Sequence, residues 1–286
     1  MEAGGGRVYD VGMAATVEAQ VLKIHDDAAD DPRADRLAVE APLEVRFGGG
    51  AGAGGTGTLM MRTPGEDEDL VRGFLYGEGI IAGAGDVVGM SRPPAAAPDE
   101  EGNVIEVALA EGVAAVAPER FTYSSAACGV CGKTSLEALV VRGEPSRSTV
   151  RVARAVLHDL PARMRAAQRT FRDTGGLHAS ALFTPEGELL VLREDVGRHN
   201  ALDKVVGWAL AAGRLPLADL VLLLSGRISY ELIQKAIAAG IPVVAAVGAP
   251  SSLAVTLAER YALTLVGFLR PSSMNVYAGA ERVGDR

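Results

Sequence analysis

Cysteine is scarce in this sequence, which has two among its 286 residues, and the two stand three positions apart as Cys128 and Cys131. Structural disulfides belong to oxidising compartments and to small chains that cannot build a sufficient core. A chain of this size has no need of such a bridge. Two thiols this close together instead indicate chemistry or metal binding.

Long apolar runs are also missing. The most apolar stretch is interrupted by Gly240, Pro242 and Gly248, so no segment reaches the length that a transmembrane helix needs. Residues 1–13 contain four glycines and acidic side chains, without the basic and apolar regions of a secretory signal. We therefore expect a soluble, cytoplasmic protein with no membrane association.

Basic residues are too few for a protein whose main role is to bind nucleic acid. The net charge is −8, with 28 lysines and arginines against 36 aspartates and glutamates. Nucleic-acid-binding proteins need a basic footprint that displaces counterions from phosphates. The composition excludes that class of protein and leaves room for a local anion site.

The chain divides by composition into three parts. Residues 1–36 are small, polar and charged without sustained periodicity, which predicts a flexible N-terminal arm. Residues 37–118 contain strand-like runs around a glycine-dense connection at 48–57, then a helix start at 63–69 with a capping residue, an early proline and acids. A further alternating run at 104–109 completes a small α+β domain.

Residues 119–286 predict a larger α/β layered domain. Strands and helices alternate from the hairpin signature at Pro185 onward, which implies parallel or mixed strands covered by helices. Pro161 should bend or divide a helix over 152–168. The predicted elements are a helix at 135–141, strands at 181–183, 188–193, 220–224, 243–247 and 263–268, and helices at 200–212, 230–239 and 252–261.

The cysteine motif lies in a segment that favours reactive sulfur. Glycines at 129 and 132 let the backbone turn tightly, and Lys133 follows at the expected start of a helix. A nearby cation and a helix N-terminus both favour the thiolate over the thiol. We therefore expect a nucleophilic thiol at this turn.

Three other interpretations of the motif remain open from the residues alone. The pair could be half of a zinc site completed by His178 and His199, although the order of residues does not match a zinc deaminase. It could be a thioredoxin-like redox pair. The sequence from Ala127 to Thr134 also nearly matches the pattern of a phosphate-binding loop. However, the apolar strand at 220–224 does not end in the aspartate that would hold magnesium in such a protein.

Eleven short segments, spread in order over about residues 40–277, carry a shared pattern. They are 40–43, 61–65, 73–75, 78–81, 128–133, 174–179, 194–201, 203–204, 225–227, 249–254 and 267–270. Together they closely resemble the FdhD family of sulfur carriers, which are required for active formate dehydrogenase. No single short motif produces such coverage.

The resemblance implies a function and a fold. It implies that Cys128 accepts persulfide sulfur from a cysteine desulfurase, assisted by Cys131, and delivers it to the bis-molybdopterin guanine dinucleotide cofactor for formate dehydrogenase. It also implies a cytidine-deaminase-like fold for the larger domain, with no metal of its own. We expect a homodimer, which is the commonest assembly. A cofactor chaperone without sulfur transfer and a zinc deaminase-like hydrolase are the alternatives.

The loops after three predicted strands are the candidate cofactor site. Ligands of α/β sheets collect outside the carboxyl ends of strands, so these loops should share one edge. Capping serines in plain connecting turns would also explain them, but the resemblance favours binding. Guanine nucleotide should mimic the cofactor. The candidate binding residues are Arg227, Ser251, Ser252, Phe268, Leu269, Arg270, Pro271, Ser272, Ser273, His178 and His199.

The acidic pair Glu194 and Asp195 precedes His199 and has two explanations of equal weight. His199 could shuttle a proton or contact the cofactor. The two acids could instead mark the start of a helix, where carboxylates are favourable.

Overall fold

The computed structural model describes residues 14–26, 30–47, 57–97, 100–113 and 141–284. Cys128, Cys131 and the predicted boundary at 118/119 lie outside the described residues, as does nearly all of the predicted helix at 135–141. The division into domains at that boundary therefore stays a prediction. Within the described ranges, no helix is both long and apolar enough to span a bilayer.

The N-terminal segment forms a hairpin where a flexible arm was expected. Strand β1 (Thr16–Lys23) pairs antiparallel with β2 (Asp31–Ala38), and Val17 lies opposite Leu37. The expectation for residues 16–36 is therefore wrong. Most side chains of this two-stranded sheet are exposed on both faces. Residues 17–21 of β1 alternate between apolar and polar types, a strand signal that the sequence interpretation missed, whereas β2 shows no such alternation.

A four-stranded sheet follows, in the order β4-β3-β6-β5. Alternate residues of β3 are buried, and α1 packs its apolar side chains on the same core. This confirms the α+β character of residues 37–113, although β5 falls in a region without a predicted strand. The elements are β3 (Ala41–Phe47), β4 (Gly57–Arg62), α1 (Asp67–Gly77), β5 (Val87–Ser91) and β6 (Val104–Leu109).

Helix α1 begins at Asp67, and Thr63, the capping residue expected from the sequence, does not cap it. Glu66 occupies the N-cap in a left-handed conformation with φ 48° and makes no side-chain capping hydrogen bond. The acidic first turn predicted from the sequence is present, and its negative charges interact favourably with the positive end of the helix dipole. Thr63 instead accepts a hydrogen bond from the backbone N–H of Val196, 133 residues away.

The remaining strands form one six-stranded mixed sheet in the order β12-β11-β10-β9-β7-β8. Strands β9, β10 and β11 run parallel to one another. Strand β7 lies between β9 and β8 and is antiparallel to both. The predicted hairpin and parallel strands are confirmed, while β12 was not predicted. The strands are β7 (His178–Phe183), β8 (Leu189–Asp195), β9 (Val221–Leu224), β10 (Val243–Ala246), β11 (Thr264–Gly267) and β12 (Asn275–Ala278).

Helices cover both faces of this sheet, as expected for an α/β layered unit. Alternate residues of β9, such as Leu222 and Leu223, point into opposite cores. One core is closed by α4, α5 and α6, and the other by α2. The helices are α2 (Arg154–Ala167), α3 (Arg169–Thr174), α4 (Arg198–Ala211), α5 (Tyr230–Ala238) and α6 (Ser252–Arg260).

Pro161 lies inside α2 without dividing it. The helix continues to Ala167, and α3 begins at Arg169 after a break at Gln168. Leu157, Leu160 and Met164 of this undivided helix are buried against the sheet. Fully burying each such side chain stabilises by about 1.5–3 kcal/mol, enough together to offset a lost backbone hydrogen bond.

Helix α4 joins the four-stranded sheet unit, through α1, to the six-stranded sheet, because it is packed on both of its sides. Leu202 and Val205 pack toward the six-stranded sheet, whereas Gly207 faces α1. A Cβ atom at Gly207 would overlap the carbonyl oxygen of Asp69, and one at Gly73 would overlap that of Asp203. The two helices therefore cross at backbone contact, which only glycine permits at these positions.

A buried ion pair adds to this packing. Lys235 of α5 donates to Asp203 of α4 at 2.6 Å, and both side chains are almost fully buried. Burial lowers the pKa of Lys235, but the carboxylates of Asp203 and Glu78 outweigh it and raise the pKa above its ordinary value. The lysine thus stays charged between the helices.

We expect Gly207→Ala to destabilise the protein by about 2 kcal/mol or more in urea unfolding. Helix propensity alone would stabilise an alanine by about 1 kcal/mol, so the sign of the change reports the clash with Asp69. Gly85→Ala, where a Cβ atom would meet nothing within 4 Å, is the control. Equal stability of the two variants would contradict the close crossing.

Candidate functional site at the carboxyl edge of the sheet

Three loops meet at the carboxyl ends of the parallel strands. The backbone N–H of Gly248 donates to Gly226 at 3.1 Å, and that of Phe268 donates to Gly248 at 3.0 Å. Ile228 likewise donates to Ala249 at 3.0 Å. The expectation that these loops share one edge is confirmed, since each is hydrogen-bonded to the next.

The loops approach so closely that glycine is required between them. A Cβ atom at Gly248 would lie 2.5 Å from the carbonyl oxygen of Gly226, and one at Gly267 would lie 2.8 Å from Cδ of Pro250. Phe268 then adopts a left-handed conformation with φ 51°, and its residue is 43% exposed. Such a conformation costs a non-glycine residue roughly 1–3 kcal/mol, and here it accompanies an exposed aromatic ring.

Arg270 lies across the ends of two strands. Its Nη1 donates to the carbonyl oxygen of Val247 at 2.8 Å and to its own neighbour Leu269 at 2.9 Å. These bonds hold the guanidinium at the edge of the sheet, where the residue remains exposed. The arrangement gives this edge a fixed positive charge.

Two of the predicted binding residues have side chains with structural roles. The side chain of Leu269 is 1% exposed and packs in the core beneath α2, so it is not available to a ligand. Ser251 is the N-cap of α6, and its hydroxyl accepts a hydrogen bond from Ala254 at 3.2 Å. For Ser251 the capping explanation is correct. Pro271, Ser272, Ser273, Ser252 and Arg227 are exposed beside the same edge.

His178 reaches this edge from the antiparallel hairpin. It begins β7 and packs beside Gly226, where a Cβ atom would lie 3.1 Å from the imidazole ring. Burial lowers the pKa of His178, and the positive charge of Arg198 lowers it further. The imidazole is therefore neutral near pH 7 and can accept a proton or a hydrogen bond.

His199 forms a polar group with two residues that the sequence interpretation missed. Its Nε2 lies 3.2 Å from Oγ of Ser229 and 3.7 Å from a carboxylate oxygen of Glu231. The contact with His199, followed by that with Ser229, lowers the pKa of Glu231 to about 2. Ser229 directly precedes α5 and Glu231 lies in its first turn, so a helix-start pattern was the signal that could have pointed to them.

Asp195 is the buried anchor beneath this site. One carboxylate oxygen accepts hydrogen bonds from Gly197 and Asn200, and the other accepts from Thr63 and from the ammonium group of Lys204 at 2.9 Å. Every lone-pair direction of the carboxylate thus meets a donor. Full satisfaction of this kind is what makes a buried charge tolerable.

Glu194 has a separate structural role. Its two carboxylate oxygens accept hydrogen bonds from the backbone N–H groups of Thr170 and Phe171, at 2.9 Å and 2.7 Å, in the first turn of α3. Both acids of the pair are therefore explained structurally. They stabilise a helix start, as one of the two explanations expected, but Glu194 stabilises that of α3.

The sequence model of the FdhD/NarQ family matches residues 38–284 of this chain. The chain belongs to the FdhD/NarQ family. The resemblance inferred from the eleven short segments is thereby confirmed, and every described residue of the carboxyl-edge site lies inside the matched range.

Relatives of this FdhD/NarQ-family chain are similar over nearly their whole length. Proteins named "Sulfur carrier protein FdhD" are 52% identical over 260 residues in Mycolicibacterium paratuberculosis, covering 88% of this chain and 93% of that protein. The one in Streptomyces coelicolor is 51% identical, with 95% and 96% covered. An archaeal relative, from Saccharolobus solfataricus, is 42% identical, with 87% and 91% covered.

A crystal structure described as that of a formate dehydrogenase accessory protein, from Desulfotalea psychrophila, has a similar fold. The TM-score is 0.72, and the match covers 94% of this chain and 100% of that one. The sequences are 24% identical, so this likeness concerns the fold alone.

We expect Glu231→Gln to reduce stability at neutral pH by about 2 kcal/mol. The folded pKa of Glu231, about 2, lies below its ordinary value of 4.5, so the carboxylate stabilises the folded state above pH 4.5 and loses this contribution as the pH falls toward 2. Urea unfolding at several pH values should therefore show the difference from the unsubstituted protein shrinking with acidity.

The exposed Glu259 of α6 provides a control for the loss of one negative charge. Glu259→Gln should leave the pH profile of the unsubstituted protein unchanged. A stability loss in Glu231→Gln that stays constant between about pH 7 and pH 3 would show that Glu231 is not held ionised by His199 and Ser229.

Proposed function

We propose that this protein carries sulfur during the maturation of formate dehydrogenase, with Cys128 as the persulfide-bearing residue. The observation that supports this most is the identity of about one half, over almost the whole chain, with proteins named as sulfur carriers. The two cysteines of the chain, three positions apart, supply the nucleophile that this chemistry needs.

The loading step is a thiol–persulfide exchange with a cysteine desulfurase. The thiolate of Cys128 attacks the terminal sulfur of the donor's persulfide, a new S–S bond forms on Cys128, and the donor's cysteine leaves as a thiolate. No external oxidant or reductant is needed because the sulfane sulfur only changes its carrier. Cys131 assists or resolves the persulfide.

The delivery step uses the carboxyl edge of the six-stranded sheet as the site for the bis-molybdopterin guanine dinucleotide cargo. The exposed ring of Phe268 offers a face on which a guanine base can stack, and Arg270 and Arg227 offer charge to phosphates. His178 adds a neutral imidazole beside the same loops. These groups support a nucleotide-bearing anion over an apolar ligand.

Three further expectations accompany this proposal. The protein acts in the cytoplasm, as a homodimer, and its larger unit has a cytidine-deaminase-like fold. A mixed sheet with helices on both faces is compatible with that fold class. Cysteine desulfurase and formate dehydrogenase are the proposed protein partners.

Incubation with a cysteine desulfurase and free cysteine should add the mass of one sulfur atom to the peptide that contains Cys128. The adduct should disappear after reduction because a persulfide is reducible. Intact-protein and peptide mass spectrometry measure it.

The Cys128→Ala and Cys131→Ala variants form a matched pair for this experiment. We expect Cys128→Ala to lose both the adduct and the activation of formate dehydrogenase, whereas Cys131→Ala should still be loaded. Activation that survives Cys128→Ala would favour a cofactor chaperone without sulfur transfer. One tightly bound zinc per chain would favour the hydrolase alternative.

Guanosine diphosphate should stabilise the protein thermally if the carboxyl edge binds the guanine end of the cofactor. At about 100 times its dissociation constant, a ligand adds about 2.7 kcal/mol, or roughly 5–10 °C for a chain of this size. Arg270→Ala should remove most of this shift relative to its own ligand-free melting temperature, and Arg214→Ala should retain it. An undiminished shift in Arg270→Ala would place the nucleotide elsewhere.

A further inference from the structure

The stretch from Arg151 to Arg172 is strongly basic in a chain that is acidic overall. It contains six arginines and a single aspartate, whereas the net charge of the whole chain is −8. Each of these arginines is exposed. They are Arg151, which precedes α2, and Arg154, Arg163, Arg165, Arg169 and Arg172, which lie along α2 and α3.

The packing of α2 sorts its arginines onto two flanks. Leu157, Leu160 and Met164 face the core, and at 100° per residue Arg154 and Arg165 fall on one flank together. Arg163 falls on the other flank, where it donates to the carbonyl oxygen of Gly187 at 2.7 Å. The flank with Arg154 and Arg165 is therefore separate from this contact.

The charges on that flank and on α3 are largely uncompensated. Arg154, Arg169 and Arg172 form no ion pair with any residue that the structure describes. The guanidinium carbon of Arg165 lies 3.9 Å from the centroid of the Phe171 ring, which holds this side chain in place. We refer to Arg154, Arg165, Arg169 and Arg172 as the arginine surface.

The arginine surface adjoins the carboxyl edge of the sheet. His158, on the same flank of α2 as Arg154, hydrogen-bonds through Nδ1 to the carbonyl oxygen of Arg270 at 2.7 Å. Side chains one helical turn apart are neighbours, so Arg154 lies beside this contact. A partner bound to the arginine surface would therefore stand next to the proposed cofactor site.

At its other end the arginine surface adjoins the exposed N-terminal hairpin. Arg36 of β2 pairs with Asp173 of α3 at 3.3 Å. The hairpin exposes four large apolar side chains, although a two-stranded sheet alone is only marginally stable in water. They are Val17, Leu37, Leu22 and Ile24, which are 42%, 45%, 57% and 72% exposed.

We propose that the arginine surface and the apolar hairpin together dock an acidic face of the protein that receives the cofactor, namely the apoenzyme of formate dehydrogenase. This inference rests on the proposed function and adds the surface that it would use. The position next to Arg270 places the recipient beside the cargo.

The combination of groups fits a protein partner. Protein interfaces are enriched in arginine around an apolar centre, and opposite charge speeds the encounter of the partners. Arg154 and Arg165 alone are about 16 Å apart along the helix, which exceeds one diphosphate and suits a protein-sized contact. An overall charge of −8 would repel the flanking backbone of a nucleic acid.

Binding of the full-length protein to apo-formate dehydrogenase of the same organism tests the proposal. Biolayer interferometry at about 50 mM and about 300 mM KCl should show weaker binding at the higher salt concentration. The double variant Arg154→Glu, Arg165→Glu should weaken binding roughly tenfold or more at low salt and flatten the salt dependence.

The double variant Arg214→Glu, Arg260→Glu is the matched control, because it reverses two exposed arginines on the other side of the sheet. It should bind like the unsubstituted protein. Equal weakening by both double variants, or no complex with the unsubstituted protein, would overturn the proposal. The proposal would also be overturned if the Arg154→Glu, Arg165→Glu variant lost binding to duplex DNA or to phosphatidylglycerol vesicles while its binding to the dehydrogenase stayed unchanged.

Sulfur loading of Cys128 separates this proposal from the proposed function. Both double variants should still acquire one sulfur atom from a cysteine desulfurase, and both should retain the melting temperature of the unsubstituted protein within a few degrees. If the Arg154→Glu, Arg165→Glu variant is loaded normally and binds the dehydrogenase as the unsubstituted protein does, only the proposed docking surface is overturned. Absence of loading in the unsubstituted protein overturns the proposed function.

Discussion

The buried carboxylate of Asp195 is the contact on which the arrangement of the site depends. It ends β8, accepts the N–H of Gly197 ahead of α4, and binds both the backbone of Thr63 and the ammonium group of Lys204. Removing one partner of such a buried pair typically costs about 3–5 kcal/mol, because the other charge is left uncompensated. One side chain thus fixes where the N-terminal unit, α4 and the carboxyl edge lie relative to one another.

Helix α4 transmits this constraint through the molecule. Its first turn presents His199 to the carboxyl edge, its middle buries Asp203 against Lys235, and Gly207 brings its backbone onto α1. A helix covered on both sides cannot shift without disturbing two cores and an ion pair. The orientation of His199 toward Ser229 and Glu231 is therefore set by packing far from the edge itself.

Much of this fold was predictable because the relevant elements carry strong local signals. The β7–β8 hairpin and the parallel strands combine turn residues with apolar runs, and the matching loops at the carboxyl edge follow from the parallel direction alone. The hairpin of β1 and β2 has no buried face, and only β1 alternates between apolar and polar residues, so the pairing of the two strands carries little local signal. The contacts of Thr63 with Asp195 and Val196 join segments more than 130 residues apart, which no local pattern encodes.

The mixed direction of the six-stranded sheet has a consequence for how the protein can vary. Because β7 runs opposite to the parallel strands, the turn from Thr184 to Glu188 that connects it to β8 lies at the far end of the sheet, about 20 Å from His178. Insertions or reporter groups placed in that turn would not reach the loops at the other end. The two rims of the sheet can accordingly evolve, or be engineered, independently of each other.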